Sequence, residues 1–452
     1  TVNINIVGTY TITYNATDSS GNAATPVTRT VNVIDVAAPV ITIKGSNPVT
    51  SEIKASYSDA GATALDDVDG DVTSRITISS TVNPNVVGNY TVTYTVTDNA
   101  GNKAVATRTV YIRDRVAPVI TVVHAGAMKY NDPTFASGLN STRVYNNTSN
   151  GNVTVKRVAI SGAPLGSGYG LEVKSVGAAS PGWGGFYFAT PTSANKVFIT
   201  RIVAKIPVGY KINWASNAFG TGGTTSWLTT TNGTGAWKEY IIQVKAGSTG
   251  TFSSTNFFYL TGGSTPTVSS PLIWHVAYAN VIDTTAWGTS NSVMIRGTDS
   301  GTGIVGYGVN QSSTTAPTFT STATAEIFGS GVDNLTSNGT YYAWVKDQSG
   351  NVSNKAFTVS HVDRIAPTIT LNGSNLITIN AGSPYSDAGA TASDNHSGIN
   401  GSVTSSGTVN INVPGTYTIT YNVSDNAGNT ATKIRTVTVL KGDYNLAKGV
   451  NC

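Results

Sequence analysis

Three aspartates stand at alternate positions, Asp67, Asp69 and Asp71, within the run Leu65-Asp-Asp-Val-Asp-Gly-Asp71. Carboxylate oxygens at that spacing suit a hard cation, Ca2+ above all. The run is not a full EF-hand, because its glycine is out of place and no glutamate closes the loop, and a solvated acidic turn is the plainer account of it. Asp35, Asp114 and Asp363 form a second set, each a few residues ahead of a proline, where a cation would sit at a junction between units.

Nucleophilic and metal-assisted catalysis find no frame here. The four histidines, His124, His275, His361 and His396, are scattered without metal-ligand spacing. No nucleophile elbow, phosphate loop or paired-carboxylate arrangement stands out. Six of the seven tryptophans fall between Trp183 and Trp287. Flat aromatics on loops can stack on the apolar faces of sugar rings while nearby amides and hydroxyls bond the sugar OH groups. Trp183 in Pro-Gly-Trp-Gly-Gly and Trp227 in Thr-Thr-Ser-Trp are loop-like by their neighbours; with Tyr187 and Trp214 they are the candidate glycan contacts. Trp214, Trp237 and Trp274 lie in strand-like runs, where core packing explains them as well.

The elements that would position these residues are strands. A phrase with Gly-x-Tyr-Thr-Ile/Val-Thr-Tyr at its start and Asp-x-Ala/Ser-Gly-Asn at its end occurs from Gly8 to Asn22, Gly88 to Asn102 and Gly415 to Asn429. Tyr90, Val92, Tyr94 and Val96 alternate with threonines, which is the period of a half-buried strand. The following Asp98-Asn-Ala-Gly-Asn102 suits a hairpin loop. A second strand returns with Arg-Thr-Val at Arg29, Arg108 and Arg435, and linkers of the form Asp-x-x-Ala-Pro follow at Asp35 and Asp114.

The motif recurs after roughly 80 residues, a length that suits a seven-stranded sandwich. Gly-x-Tyr at the start of the strand resembles the tyrosine corner of immunoglobulin domains, with Ile12, Val92 and Ile419 where antibody domains carry a cysteine. With Tyr57-Ser-Asp-Ala-Gly-Ala-Thr-Ala64 and its copy from Tyr385 to Ala392, the pattern resembles bacterial Ig-like surface repeats over about half the chain. The order of strands in the tryptophan-rich region resembles carbohydrate-binding jelly rolls. Ala204-Lys-Ile-Pro-Val-Gly-Tyr210 and Trp274-His-Val-Ala-Tyr-Ala-Asn280 resemble a domain of phage fibre and virion proteins.

The expected architecture is all-β: tandem immunoglobulin-like β-sandwiches with one inserted jelly-roll-like sandwich, extended as beads on a string. Residues 1–36 read as the second half of an Ig-like domain, either cut from a longer polypeptide or completed by strands of a neighbouring chain. Residues 37–116 are a complete Ig-like domain, 117–284 the tryptophan-rich sandwich, 285–364 a diverged Ig-like domain and 365–441 another clear one. Residues 442–452 are a linker into a further domain, and Asn445 to Cys452 resembles the opening of discoidin-type sugar-binding domains.

Composition narrows the function. Charged residues are 11% of the chain, the formal net charge is +4 and there is one cysteine, Cys452. A low, unclustered charge gives no footprint for nucleic acid. The sandwiches must stand without internal disulfides, and no apolar run is long enough to span a bilayer. The resemblances imply a non-enzymatic, extracellular segment on a virion or bacterial surface. There the Ig-like units would be spacers, the partners bacterial cell-surface glycans, and the assembly homo-oligomeric or larger. The alternative they imply is the accessory region of a secreted glycoside-processing enzyme or an adhesin. No cofactor is expected apart from Ca2+ at the acidic turns.

Overall fold

A computed structural model describes residues 1–128, 135, 142–145, 152–162, 168–177, 183–188, 192–214, 223–248, 251–252, 256–321 and 329–442. The predicted resemblance from Asn445 to Cys452 lies outside them. The chain divides into two units, residues 1–116 with 300–302 and residues 117–299 with 303–452.

In the first unit the tyrosine-threonine alternation forms the strand Gly88–Thr97, in which Val92, Tyr94 and Val96 are buried. It lies in a four-stranded sheet ordered Val49–Glu52, Lys103–Arg113, Gly88–Thr97, Thr77–Ser80, with the first pair parallel and the others antiparallel. The facing sheet is Val40–Ile43, Ala62–Asp66 and Gly70–Asp71. Val92, Val110 and Ile112 fill the space between them. This is an immunoglobulin-like sandwich, and its tyrosine corner is present: Tyr90 Oη donates to Val86 O at 2.8 Å. Tyr10, Tyr341 and Tyr417 make the same bond to Ile6, Ser337 and Val413. The hairpin loop closes as its residues dictate, with Asp98 Oδ1 accepting the Asn102 N–H at 2.7 Å and Gly101 at φ +97°, a region that favours glycine.

Residues 1–36 hold the strands Gly8–Tyr14 and Val27–Val33 in the register of the full repeat: Ile12 faces Arg29 as Val92 faces Arg108. Tyr14, whose counterpart Tyr94 is fully buried, is 52% exposed.

In the second unit, residues 365–441 repeat the sandwich. Ile399–Ser406, Gly415–Asp425, Thr430–Leu440 and Leu376–Asn380 form one sheet, and Thr368–Leu371 with Ala390–Ser393 the other. The middle of the chain departs from the expected cut at 284/285. Val119–Met128, expected to open the tryptophan-rich domain, pairs along Val119 to Gly126 with Asn291–Thr298. Its Ile120 packs with Val293, Ile295, Ile304, Tyr307, Ala343 and Val345. The diverged Ig-like sandwich therefore takes its first strand from residues before the tryptophan-rich module, and that module is inserted into it. The same strand touches the insert's last strand, Leu272–Asp283, at Ala127 and Met128, so one sheet runs from Thr224–Trp227 through to Gly329–Leu335. A Cβ at Gly126 would stand 2.5 Å from Asp283 O, which makes glycine necessary at the crossing.

Inside the complete repeats sits a polar lock that strand periodicity does not announce. Arg108, 2% exposed, pairs with Asp59 and donates to the Lys44 carbonyl. Tyr94 Oη donates to both Asp59 oxygens at 2.8 and 2.7 Å, and Tyr57 Oη to Oδ1 at 3.0 Å. In residues 365–441 Arg435, Asp387, Tyr421 and Tyr385 rebuild it atom for atom. Burial opposes ionisation of Asp59, but the bonds from Tyr94, Gly61 and Tyr57 and the charge of Arg108 outweigh it and hold the carboxyl below its usual range. Asp387 is lowered by its matching partners in the same way.

Asp59→Ala leaves a buried guanidinium without its counter-ion and is expected to cost about 3–5 kcal/mol. Calorimetry should show that loss in one transition, with the matching loss for Asp387→Ala in another. A depressed carboxyl pKa contributes stability that is present above the unfolded value, near 4, and is lost as pH falls through the lower folded value. Melting temperature should therefore fall below about pH 4, and Asp59→Asn should flatten that fall for residues 37–116.

Candidate functional site

The insert is a two-layer sandwich. Strands Asn152–Ala159, Tyr169–Val176, Leu272–Asp283, Val197–Lys205, Trp237–Lys245 and Thr224–Trp227 form the large layer. Thr142–Tyr145, Gly185–Phe188, Asn256–Gly262 and Tyr210–Trp214 form the small one. Alternation along each strand sends Leu171, Val173, Phe198, Ile202, Tyr240, Trp274, Phe186 and Phe258 into one core.

Of the four candidate glycan contacts, Trp214 takes its core-packing alternative: at 7% exposure it belongs to that core, opposite Phe258 in the sheet register. Its period-two position beside buried Ile212 puts it there. Trp227, read as a loop residue, ends the edge strand Thr224–Trp227 opposite Ile242 and packs partly against the core. Trp183 is half-buried, its Nε1 donating to Gly262 O at 2.6 Å and its main-chain N–H to Leu260 O at 2.9 Å. These bonds hold the indole against the end of the small sheet.

Tyr187 is different. It follows buried Phe186 and so lies on the outward face of the small sheet, half-buried. The register adds two residues that inspection of tryptophans missed. Tyr259 lies between Gly185 on one side and Asn213 on the other, diagonal to Tyr187. Asn213 Nδ2 donates to Thr261 Oγ1 on the same face. Both Tyr259 and Asn213 are partly accessible, and Lys211 beside them is exposed. The signal for this face was alternation in Phe257-Phe258-Tyr259-Leu260, where buried Phe258 and Leu260 send Tyr259 outward. Two phenol rings, an amide and a hydroxyl on one sheet face can stack on a sugar ring and bond its hydroxyls.

The acidic turn is also rearranged relative to its spacing. Asp69 and Asp71 do not join Asp67. Asp69 accepts Arg75 Nη1 at 2.9 Å, the Asn99 N–H at 2.7 Å and Asn99 Nδ2 at 2.9 Å, so it braces the turn against the hairpin loop. The Asn99 N–H is the main reason its carboxyl lies below the usual range. Asp71 accepts the Thr73 N–H at 2.9 Å. Asp67 instead clusters with Asp66 and the linker residue Asp35, one oxygen of each lying within 4.8 Å of the others. Loss of hydration first, and then the charges of Asp66, Asp98 and Asp67, raise the Asp35 carboxyl. Of the other linker aspartates, Asp114 accepts the Val116 N–H at 3.3 Å, and Asp363 clusters with Asp394 and His396.

With this geometry in place, comparison with known proteins identifies the repeats. Residues 1–33, 41–112 and 369–439 match the family described as bacterial surface protein, Ig-like domain. A protein of Acholeplasma phage L2, named "Uncharacterized 81.3 kDa protein", is 43% identical over 84 residues. The match spans 18% of this chain and 11% of the length of that relative. Among solved structures, the M60 catalytic domain with two CBM51 domains of Clostridium perfringens ZmpB aligns with 98% of this chain and 34% of that one, at 14% identity and TM-score 0.19. A carbohydrate-binding module of the β-sandwich superfamily aligns with 55% of this chain and 99% of its own, at 13% identity and TM-score 0.19. Among the described residues no helix is long and apolar enough to cross a membrane.

Trp214→Ala empties a large core position and is expected to cost about 3–5 kcal/mol. The thermal transition of the insert should drop accordingly in calorimetry.

Proposed function

We propose that this chain is a non-catalytic segment of a surface appendage in which Ig-like repeats space a glycan-binding sandwich, and that the appendage is a phage fibre or virion protein contacting bacterial cell-surface glycans. The observation that carries the reading is the outward face of the insert's small sheet, where Tyr187, Tyr259, Asn213 and Thr261 stand together in register. Sugar recognition needs that combination of flat apolar rings and convergent polar groups. The match of the repeats to a bacterial surface Ig-like family supports extracellular display, and the likeness to a phage protein over 84 residues supports the virion placement. Assembly into an oligomer, as in an appendage built from several chains, belongs to the same reading.

Tyr187→Ala and Tyr259→Ala should each weaken retention on host cell-wall polysaccharide by about twofold to tenfold, the worth of an aromatic contact. Affinity electrophoresis measures this, with circular dichroism confirming that the sheet is intact. Unchanged retention in the double variant would remove this face from the site.

A further inference from the structure

Asp66 is 4% exposed, and its two oxygens have different fates. Oδ1 accepts the Val68 N–H at 3.0 Å and the Asp69 N–H at 2.7 Å. Oδ2 is buried and accepts no hydrogen bond. A buried carboxylate oxygen left without a donor is costly unless a cation or proton meets it. The same carboxylate belongs to a cluster of negative charges: one oxygen each of Asp35, Asp66 and Asp67 lie within 4.8 Å of one another. Asp35 spends Oδ1 on the Ala37 N–H at 3.0 Å, and Asn102 Nδ2 reaches its carbonyl at 3.4 Å, which fixes the linker against the hairpin loop. The guanidinium within this turn, Arg75, is engaged by Asp69 and not by this trio.

The corresponding place in the last repeat gathers Asp363, Asp394 and His396, with an imidazole where the first site has a third carboxylate. There Asp363 accepts the Ile365 N–H at 2.9 Å and the Ser397 N–H at 3.1 Å, one on each oxygen. Asp394 takes the place of Asp66, and asparagine replaces Asp67 at Asn395. Backbone donors satisfy Asp363, and one carboxylate is gone.

We propose that Asp35, Asp66 and Asp67 bind a divalent cation, with Ca2+ the fitting ion, and that the ion ties the linker Asp35–Pro39 to the end of strand Ala62–Asp66. Three carboxylates offer hard oxygen ligands from two separate chain segments, and the exposed Asp67 leaves room for water to complete the shell. Mg2+, which demands a smaller and stricter octahedron, fits this loose set less well. The site is independent of the glycan face, which lies in the other unit.

The test is calorimetric melting of the full chain in EDTA, 5 mM CaCl2 or 5 mM MgCl2 (about 5-fold to 50-fold above the ~10⁻³ to 10⁻⁴ M dissociation constants typical of extracellular modules), with isothermal titration of CaCl2. Ca2+ should raise one transition by roughly 5–15 °C over EDTA, and Mg2+ by less. Asp66→Asn and Asp35→Asn should abolish that shift, whereas Asp71→Asn should keep it. If Asp66→Asn fails to fold by circular dichroism, Asp67→Asn, at an exposed position, carries the test and should weaken Ca2+ binding about 10-fold or more. Absence of any Ca2+ shift and binding heat in the wild type overturns the site, as does a shift that survives in Asp35→Asn and Asp67→Asn alike.

Discussion

A buried arginine whose charge must be met is the constraint around which each complete repeat closes. Arg108 lies in the last strand, Asp59 in the segment joining the two sheets and Tyr94 in the penultimate strand. The ion pair and its two tyrosines thus fasten together three stretches far apart in sequence. A chain with 11% charged residues and one cysteine uses a polar cluster where other small sandwiches use a disulfide. Removing a carboxylate from such a cluster costs more than forming it gains, because the desolvated guanidinium stays behind. The arrangement therefore specifies which segments belong together at least as much as it adds stability. Residues 1–36 carry Tyr14 and Arg29 in the matching register, with Tyr14 exposed and no carboxylate of that stretch set against them.

A second buried charge cluster lies at the boundary between the insert and its host. Arg201 and Glu239, on the face of the large layer turned away from the insert's own core, are both almost wholly buried and paired, and Arg296 of the Ig-like strand Asn291–Thr298 approaches Glu239 Oε2 at 3.4 Å. Ile199, Ile241 and Ile282 pack beside them against Met294. Insert and host thus share one packed seam, with the shared sheet crossing at Gly126.

The strands and hairpins of the repeats were legible because their signals are local. Tyr90, Val92 and Tyr94 show their period within five residues, and Asp98 to Asn102 names its own turn. The tyrosine corner was readable from Gly-x-Tyr for the same reason. What escaped reading depends on contacts between distant positions. Tyr57-Ser-Asp-Ala-Gly and Arg-Thr-Val were visible as repeated phrases, but nothing in either says that Asp59 meets Arg108. The spacing of Asp67, Asp69 and Asp71 suggested one site, yet the turn spreads them: Arg75 and Asn99 claim Asp69, and Asp66, overlooked for lack of alternation, turns inward. The boundary at 284/285 was misplaced because Val119–Met128 follows a linker proline and looks like the start of a module. Its true partner, Asn291–Thr298, comes more than 160 residues later. At the glycan face, tryptophan was the conspicuous residue and tyrosine the better placed one.

The insertion has a mechanical corollary. Ala127 and Asp283, the two ends of the insert, face each other in the sheet register, and the host strand Val119–Met128 is laddered directly to Asn291–Thr298. Tension entering at residue 117 and leaving at residue 364 is carried across that ladder of backbone hydrogen bonds, so the inserted sandwich hangs outside the load path. Drag on a tethered chain would stretch the host before it deformed the insert, and the tyrosine face would keep its shape while the strand that carries it is pulled.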